Sequence, residues 1–221
     1  MDNKIILSMR KEIICIVVIY IALCLIFFSS FHLAHKIVLP LLFLSIAAVR
    51  YRSLPMFFAM LFSAIGDYAG SCHVFLLQMG SFALAHVAFI SYFLCVMHKH
   101  PKISHTQSLS LCSIICSMLF VVVVVTILPV IDNNTFLIGV SLYLTLILIM
   151  LMMAWLTGYP IFLAGAFLFV LSDSILGWNK FVSKIPFSAY WIMIPYFSAQ
   201  ILFFIQAAKL CRFQGIKNEV E

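Results

Sequence analysis

Apolar residues fall into eight runs, each closed by charge, proline or a polar cluster, over about 12–30, 36–50, 53–71, 75–97, 107–130, 135–156, 160–178 and 187–210. Most are long enough for a helix of about 20 residues to cross a bilayer. The pattern predicts an all-α polytopic membrane protein, a bundle of eight transmembrane helices. The second run is the shortest: Ile37 to Val49 spans thirteen residues, enough to cross only if His35, Lys36 and Arg50 snorkel outward, and a re-entrant segment is the other reading. Connections are short and composition does not shift, so residues 1–221 are expected to form a single transmembrane domain. The first run follows Lys4, Arg10 and Lys11 as a signal peptide would, but no small-residue cleavage site ends it, so it is expected to remain as a helix.

Composition agrees: 65% of residues are hydrophobic and 9% charged. A mean hydropathy of +1.19 leaves too little polar surface to solvate a domain in water. The net charge of +6 is spread in small groups at the edges of the apolar runs, which is membrane topology rather than a footprint for nucleic acid. With the N-terminus cytoplasmic and eight spans, Lys4, Arg10, Lys11, Arg50, Arg52, Lys99, Lys102, Lys209, Arg212 and Lys217 share one side. Only Lys36, Lys180 and Lys184 fall on the other. This bias predicts both termini in the cytoplasm and the sequon Asn133-Asn134-Thr135 in the lumen. The cysteines at 15, 24, 72, 95, 112, 116 and 211 mostly lie in apolar runs without a CxxC pair, so they are expected to act as small buried hydrophobes.

Five of the seven acidic residues, Asp2, Glu12, Asp132, Glu219 and Glu221, lie at termini, helix edges or loops. Asp67 and Asp173 do not. They sit in the apolar stretches FFAMLFSAIGDYAG and AGAFLFVLSDSILGWNKF, where a carboxylate costs roughly 2.5 to 3.5 kcal/mol even on lenient insertion scales. Such groups face a cavity or a partner. Both are expected near the lumenal ends of their helices, about four and five residues in, or roughly 6 to 8 Å deep. A small residue precedes each acid, Gly66 and Ser172, leaving room for a neighbouring backbone or a ligand. The similarity hints at a parallel four-plus-four repeat, although the flanking helices do not align.

Other polar groups in the apolar runs are weighed against simple packing roles. Ser63 precedes Asp67 by four residues and would share its face, a hydrogen-bond partner for the carboxyl. Tyr196 and Gln200 share a face in the same way and suit either a ligand or helix–helix contact. His86 lies near the middle of the fourth run, where a lone histidine is more often a satisfied core group than a ligand. Metal ligands are not expected, since His32 and His35 lie at an edge and the histidines at 98, 100 and 105 are far from the aspartates. No P-loop, dinucleotide fingerprint or G-x-S-x-G is present, and no cofactor is expected.

Lys36-xxx-Pro40, LFSAIGD at 61–67, AHVAF at 85–89, LFVLSDSILGWNKF at 168–181 and YFSAQIL at 196–202 follow one another in an order that resembles the YhhN-like membrane protein family. Animal members of that family include lysoplasmalogenases. The sequence departs from the family pattern where Ile37, not proline, follows Lys36, and where Phe89 replaces a tyrosine. The resemblance implies hydrolysis of the vinyl ether bond of a lysoplasmalogen to a fatty aldehyde and a glycerophospho-alcohol, in the endoplasmic reticulum membrane.

The residues suit that chemistry. Vinyl ethers hydrolyse when carbon is protonated; one carboxyl of a buried pair can carry that proton while the other, charged, balances the cation and activates water. Asp67 and Asp173 are the expected catalytic residues. Lys36, Ser63, His86, Lys180, Tyr196 and Gln200 are the expected substrate-binding ones, with Lys36 and Lys180 placed for a phosphate. The partners implied are a lysophospholipid and the bilayer, with a second copy of the chain as a further candidate. Two alternatives stay open: hydrolysis of another lipid bond, and a lipid transporter or sensor in which the aspartates bind protons or cations.

Overall fold

The computed structural model describes residues 3–30, 32–100 and 106–218, with side chains described from Arg10 to Ser30, His32 to His100 and Ser113 to Cys211. Asp2, Lys102, His105, Glu219 and Glu221 lie outside the described residues. Among the described residues eight α-helices follow in order: α1 (Asn3–Phe28), α2 (Leu39–Arg50), α3 (Leu54–Ser71), α4 (Phe75–Lys99), α5 (Thr106–Thr126), α6 (Asn134–Leu156), α7 (Pro160–Phe181) and α8 (Ser188–Asn218). Short 3₁₀ turns at Lys36–Val38 and Leu128–Val130 precede α2 and α6.

Six of these helices are long and apolar enough to cross a membrane, namely α1 and α4 to α8; residues 127–130 extend the apolar length of α5. The chain is a multi-pass membrane protein. The expectation of eight spans is therefore met for six. With twelve residues, α2 rises only about 18 Å, well short of a hydrocarbon layer of about 30 Å. Residues 36–38, counted with it in the sequence pattern, wind as a tighter turn instead. The eighteen residues of α3 reach further, but its last turn, Asp67 to Ser71, is polar. Even so, α2 is apolar on both faces: Leu41, Leu44 and Ala48 are buried, while Leu42, Ile46 and Val49 face outward at 40%, 64% and 59% exposure.

Exterior positions elsewhere are equally apolar, including Val18, Leu25, Met118, Val125 and Leu142. A bilayer covers such a surface without cost, so the packed interior owes its order to shape. That interior is largely aromatic. Phe89, Phe93, Phe162, Phe169 and Phe203 are fully buried, with Phe89 and Phe203 rings 4.6 Å apart and Phe93 and Phe162 rings 5.1 Å apart. α7 and α8 come close at Gly165, where a Cβ would stand 2.8 Å from the Phe203 ring and 3.3 Å from the Ala199 carbonyl.

Pro195 interrupts α8 and has no N–H to return to the preceding turn. In the turn before it, Ser172 Oγ donates to the Ile192 carbonyl at 2.9 Å, tying α7 to α8 beside the second aspartate. From α1, the buried Tyr20 hydroxyl donates to the Phe197 carbonyl at 2.9 Å. Arg50, Arg52 and Lys99 gather at one end of the bundle, and His35, Lys36 and His73 at the other.

Candidate functional site

Asp67 continues the buried stripe of α3 that runs through Met56, Met60 and Ser63, so helical periodicity itself carries the carboxyl inward. It is 2% exposed, and the Tyr196 hydroxyl of α8 lies 3.0 Å from its Oδ2. One turn away, Gln200 Nε2 donates to Ser63 Oγ at 3.0 Å. The pairs 67 with 196 and 63 with 200 show that α3 and α8 run antiparallel and in register. Ser63 thus partners Gln200 instead of Asp67, and this second rung is fully buried, off the wall of the cavity that Asp67 lines. Gly66 lets α4 approach: a Cβ there would stand 3.1 Å from the Phe82 ring.

Asp173 is held by a different set of helices. The Tyr143 hydroxyl of α6 donates a hydrogen bond to Asp173 Oδ2. Behind it stands His86 of α4, with Nε2 3.0 Å from the Tyr143 oxygen and 3.7 Å from Asp173 Oδ2. His86 is fully buried and packs on Phe169 with ring centroids 4.9 Å apart. It reaches the aspartate mainly through tyrosine and does not line the cavity. Asn179 and Lys180, expected just beyond the helix, belong to it. Asn179 Oδ1 accepts from Ile185 N at 2.8 Å, and Trp178 Nε1 donates to Ser183 Oγ at 3.0 Å, folding the exit loop back on the last turn. Asp173 consequently stands eight residues before the end of α7, roughly 12 Å, against four residues or roughly 6 Å for Asp67 in α3. The five residues expected between Asp173 and the end of its helix are therefore eight, because α7 runs on to Phe181.

Both carboxyls nevertheless line one cavity of about 590 Å³, walled by α3, α4, α7 and α8. His35, Lys36 and His73 stand at its mouth. Lys36 Nζ donates to the Ser29 carbonyl at 2.5 Å, and His35 Nδ1 lies 2.6 Å from Ser71 Oγ. His35 and His73 both adopt left-handed backbone, with φ of 53° and 62°, which turns the chain sharply at the rim. Lys180 takes another place: its Nζ lies 4.8 Å from the centre of the Phe75 ring, a cation–π contact away from the cavity wall. Phe75 belongs to a second, almost wholly apolar groove of about 80 Å³ between α4, α5, α6 and α7. The two spaces share Gln78, Phe82, Asp173 and Leu176, so Asp173 sits at their junction.

Of the expected substrate-binding residues, Lys36 and Tyr196 are on the cavity wall; Ser63, His86, Lys180 and Gln200 are not. Among the described residues no three His, Cys, Asp or Glu side chains come together as metal ligands.

Residues 30–207, which hold the whole constellation, match the model of the YhhN family. The chain belongs to the YhhN family. No curated protein matches it, and no solved structure does. In this YhhN protein, sequence reasoning overlooked Tyr143. Its signal was present: it is the only tyrosine in α6, within the apolar run LIGVSLYLTLILIM. A single phenol in such a run resembles many packing tyrosines, and only the fold shows that it faces Asp173. Gln78, shared by both spaces, was overlooked for the same reason.

Proposed function

We propose that this YhhN protein hydrolyses the vinyl ether bond of lysoplasmalogens, with Asp67 and Asp173 as the acid–base pair. One observation carries the reading: two carboxyls from separate helices line a single cavity whose mouth bears a lysine and two histidines. Enol ether hydrolysis needs a proton delivered to carbon, a charge to balance the resulting oxocarbenium ion, and a water. Two carboxyl groups facing one space can divide those tasks, as they do in glycoside hydrolysis.

The rest of the cavity fits an amphiphile. A phosphate at the mouth would meet Lys36, His35 and His73. The vinyl ether adjoins the glycerol, so it would lie just inside, between Asp67 and Asp173. The hydrocarbon chain would then continue past Asp173 into the apolar groove lined by Val140, Leu144, Ile147 and Leu148. In this arrangement the mouth faces the lumen of the endoplasmic reticulum and both termini face the cytoplasm.

The test is direct. Purified protein in detergent should release fatty aldehyde from lysoplasmenyl-ethanolamine or lysoplasmenyl-choline, and none from the corresponding saturated ether lipid. Absence of aldehyde from both vinyl ether substrates would end this reading.

A further inference from the structure

We propose that Asp173 is the charged member of the pair, that Tyr143 and His86 are positioning residues holding it in that state, and that Asp67 is the proton donor. This assignment of roles rests on the hydrolytic reading above, but the proton positions behind it stand on hydrogen bonding, burial and charge and not on that activity.

The argument turns on one orphan atom. His86 is fully buried, and among the described residues its Nδ1 has no hydrogen-bond partner. A chain of three groups, imidazole, phenol and carboxyl, can be wired in only two directions when the imidazole is neutral. In the first, Nε2–H donates to the Tyr143 oxygen and Tyr143 donates to Asp173, which accepts as a carboxylate. His86 Nδ1 is then a bare lone pair. In the second, a protonated Asp173 donates to Tyr143, Tyr143 donates to Nε2, and the imidazole proton must sit on Nδ1, a buried N–H with nothing to receive it. Buried donors without acceptors are rarer than buried acceptors without donors. A charged imidazolium strands the same N–H. The first wiring satisfies every donor, and it ends on an anion.

At Asp67 the hydrogen bonding is sparser. The carboxyl is 2% exposed, and its Oδ2 accepts from the Tyr196 hydroxyl. Among the described residues no cation pairs with it, and Gln200, one turn along α8, directs its Nε2 to Ser63 and not to the acid. With charge on Asp173 across the same cavity, a second charge on Asp67 would be opposed, so Asp67 keeps its proton on the oxygen that Tyr196 leaves free: proton on Asp67, charge on Asp173.

The reaction then balances. Asp67 gives its proton to the vinyl carbon distal to the ether oxygen, leaving an oxocarbenium ion that faces the Asp173 carboxylate. Water adds to the carbon bonded to oxygen and loses its proton to Asp173. The hemiacetal then breaks its bond to the glycerol oxygen. Its hydroxyl proton goes to Asp67, the Asp173 proton goes to the departing glycerol oxygen, and both acids return to their starting states.

Infrared spectroscopy of the protein at neutral pH, with aspartate carbon-13 labelled, reads the assignment without requiring activity. A band from a protonated carboxyl should be present, disappear in Asp67→Asn and persist in Asp173→Asn. Its loss in Asp173→Asn instead, or its absence from the wild type, would overturn the proposal. Nitrogen-15 spectra of histidine in the unmutated protein supply a second reading, with His86 assigned by comparison with a folded His86→Gln variant. The resonances that vanish in His86→Gln should be those of a neutral ring protonated on Nε2, and protonation on Nδ1 would refute the wiring.

In turnover, Tyr143→Phe should lower kcat about 10- to 100-fold at unchanged KM, the scale of one lost hydrogen bond to a charged group. His86→Gln, which offers an amide N–H to Tyr143, should retain more activity than His86→Leu. Equal activity in those two, or normal kcat in Tyr143→Phe, would remove the positioning role. If the wild type makes no aldehyde while the infrared and histidine spectra are as stated, the hydrolytic reading fails and the proton assignment stands.

Discussion

Replacing Asp67 by asparagine removes one proton and almost nothing else. The side chain is 2% exposed and fixed by Tyr196 at 3.0 Å, and an asparagine oxygen in the same place still accepts that bond. Volume is conserved, so the Gly66–Phe82 contact and the Gln200–Ser63 rung should persist, and expression and melting temperature should stay close to wild type. What disappears is the donated proton. General acid assistance is worth about 10²- to 10⁴-fold, and a site shielded from water raises the value of any charge it uses, so turnover should fall by at least about 10³-fold. Asp173→Asn should cost a similar factor by removing the charge that faces the cation and the base that takes a proton from water. Because either loss disables one shared unit, the double variant should be little slower than either single. The assay is aldehyde release from lysoplasmenyl-ethanolamine by protein matched for monodispersity in detergent. If either single variant kept about a third of wild-type turnover, that aspartate would be a packing residue and the paired mechanism would be lost. Multiplying effects in the double variant would show two independent contributions in place of one unit.

Lys36→Ala should raise KM several-fold with a smaller change in kcat, because a cation on a phosphate acts alike in ground and transition states; a fall in kcat alone would contradict binding at the mouth. Gln200→Leu removes the donor to Ser63 in a fully buried rung, so it should destabilise the fold by about 1 to 3 kcal/mol in thermal or denaturant unfolding while leaving kcat within a few-fold of wild type. Leu148→Trp should narrow the apolar groove and shift the preferred substrate toward shorter chains, and an unchanged chain-length profile would place the hydrocarbon elsewhere. A cysteine introduced at Asn134 should be shielded from impermeant reagents added outside sealed microsomes, and cytoplasmic labelling would move the mouth to the other face.

The helices were legible because bilayer and helix geometry impose the same pattern: each apolar run ends where the chain must leave the hydrocarbon. The two aspartates were legible for the converse reason, since they break that pattern where it is most costly. Less legible was whatever depended on rotation about a helix axis. Ser63 shares a face with Asp67, yet α8 meets that face with Gln200 at one level and Tyr196 at the next, so serine became part of a structural rung. Lys180 follows Asp173 by two turns, but the exit loop after Asn179 keeps α7 helical and leaves the ammonium over Phe75. Tyr143 could not be separated from an ordinary membrane tyrosine until α4 and α7 were placed on either side of it.

The division of the site between helix sets bears on how a membrane protein holds two acids apart. Asp67 belongs to the α3–α8 pair and Asp173 to the α4–α6–α7 group, so the spacing of the carboxyls is set by how those sets pack rather than by either helix alone. The contacts at the seam are rigid ones: Ser172 bound to the Ile192 carbonyl, Gly165 against Phe203, and the Phe82 ring at 5.8 Å from Tyr196 and 6.4 Å from Phe169. A hydroxyl partners each carboxyl, Tyr196 for Asp67 and Tyr143 for Asp173. An aspartate inside an apolar span is tolerable only when something satisfies it. Here the satisfying groups come from different helices, and both acids still line the cavity. It follows that enlarging Gly165, remote from both acids, should disturb their spacing through α7 and α8 before it disturbs either acid's own hydrogen bond.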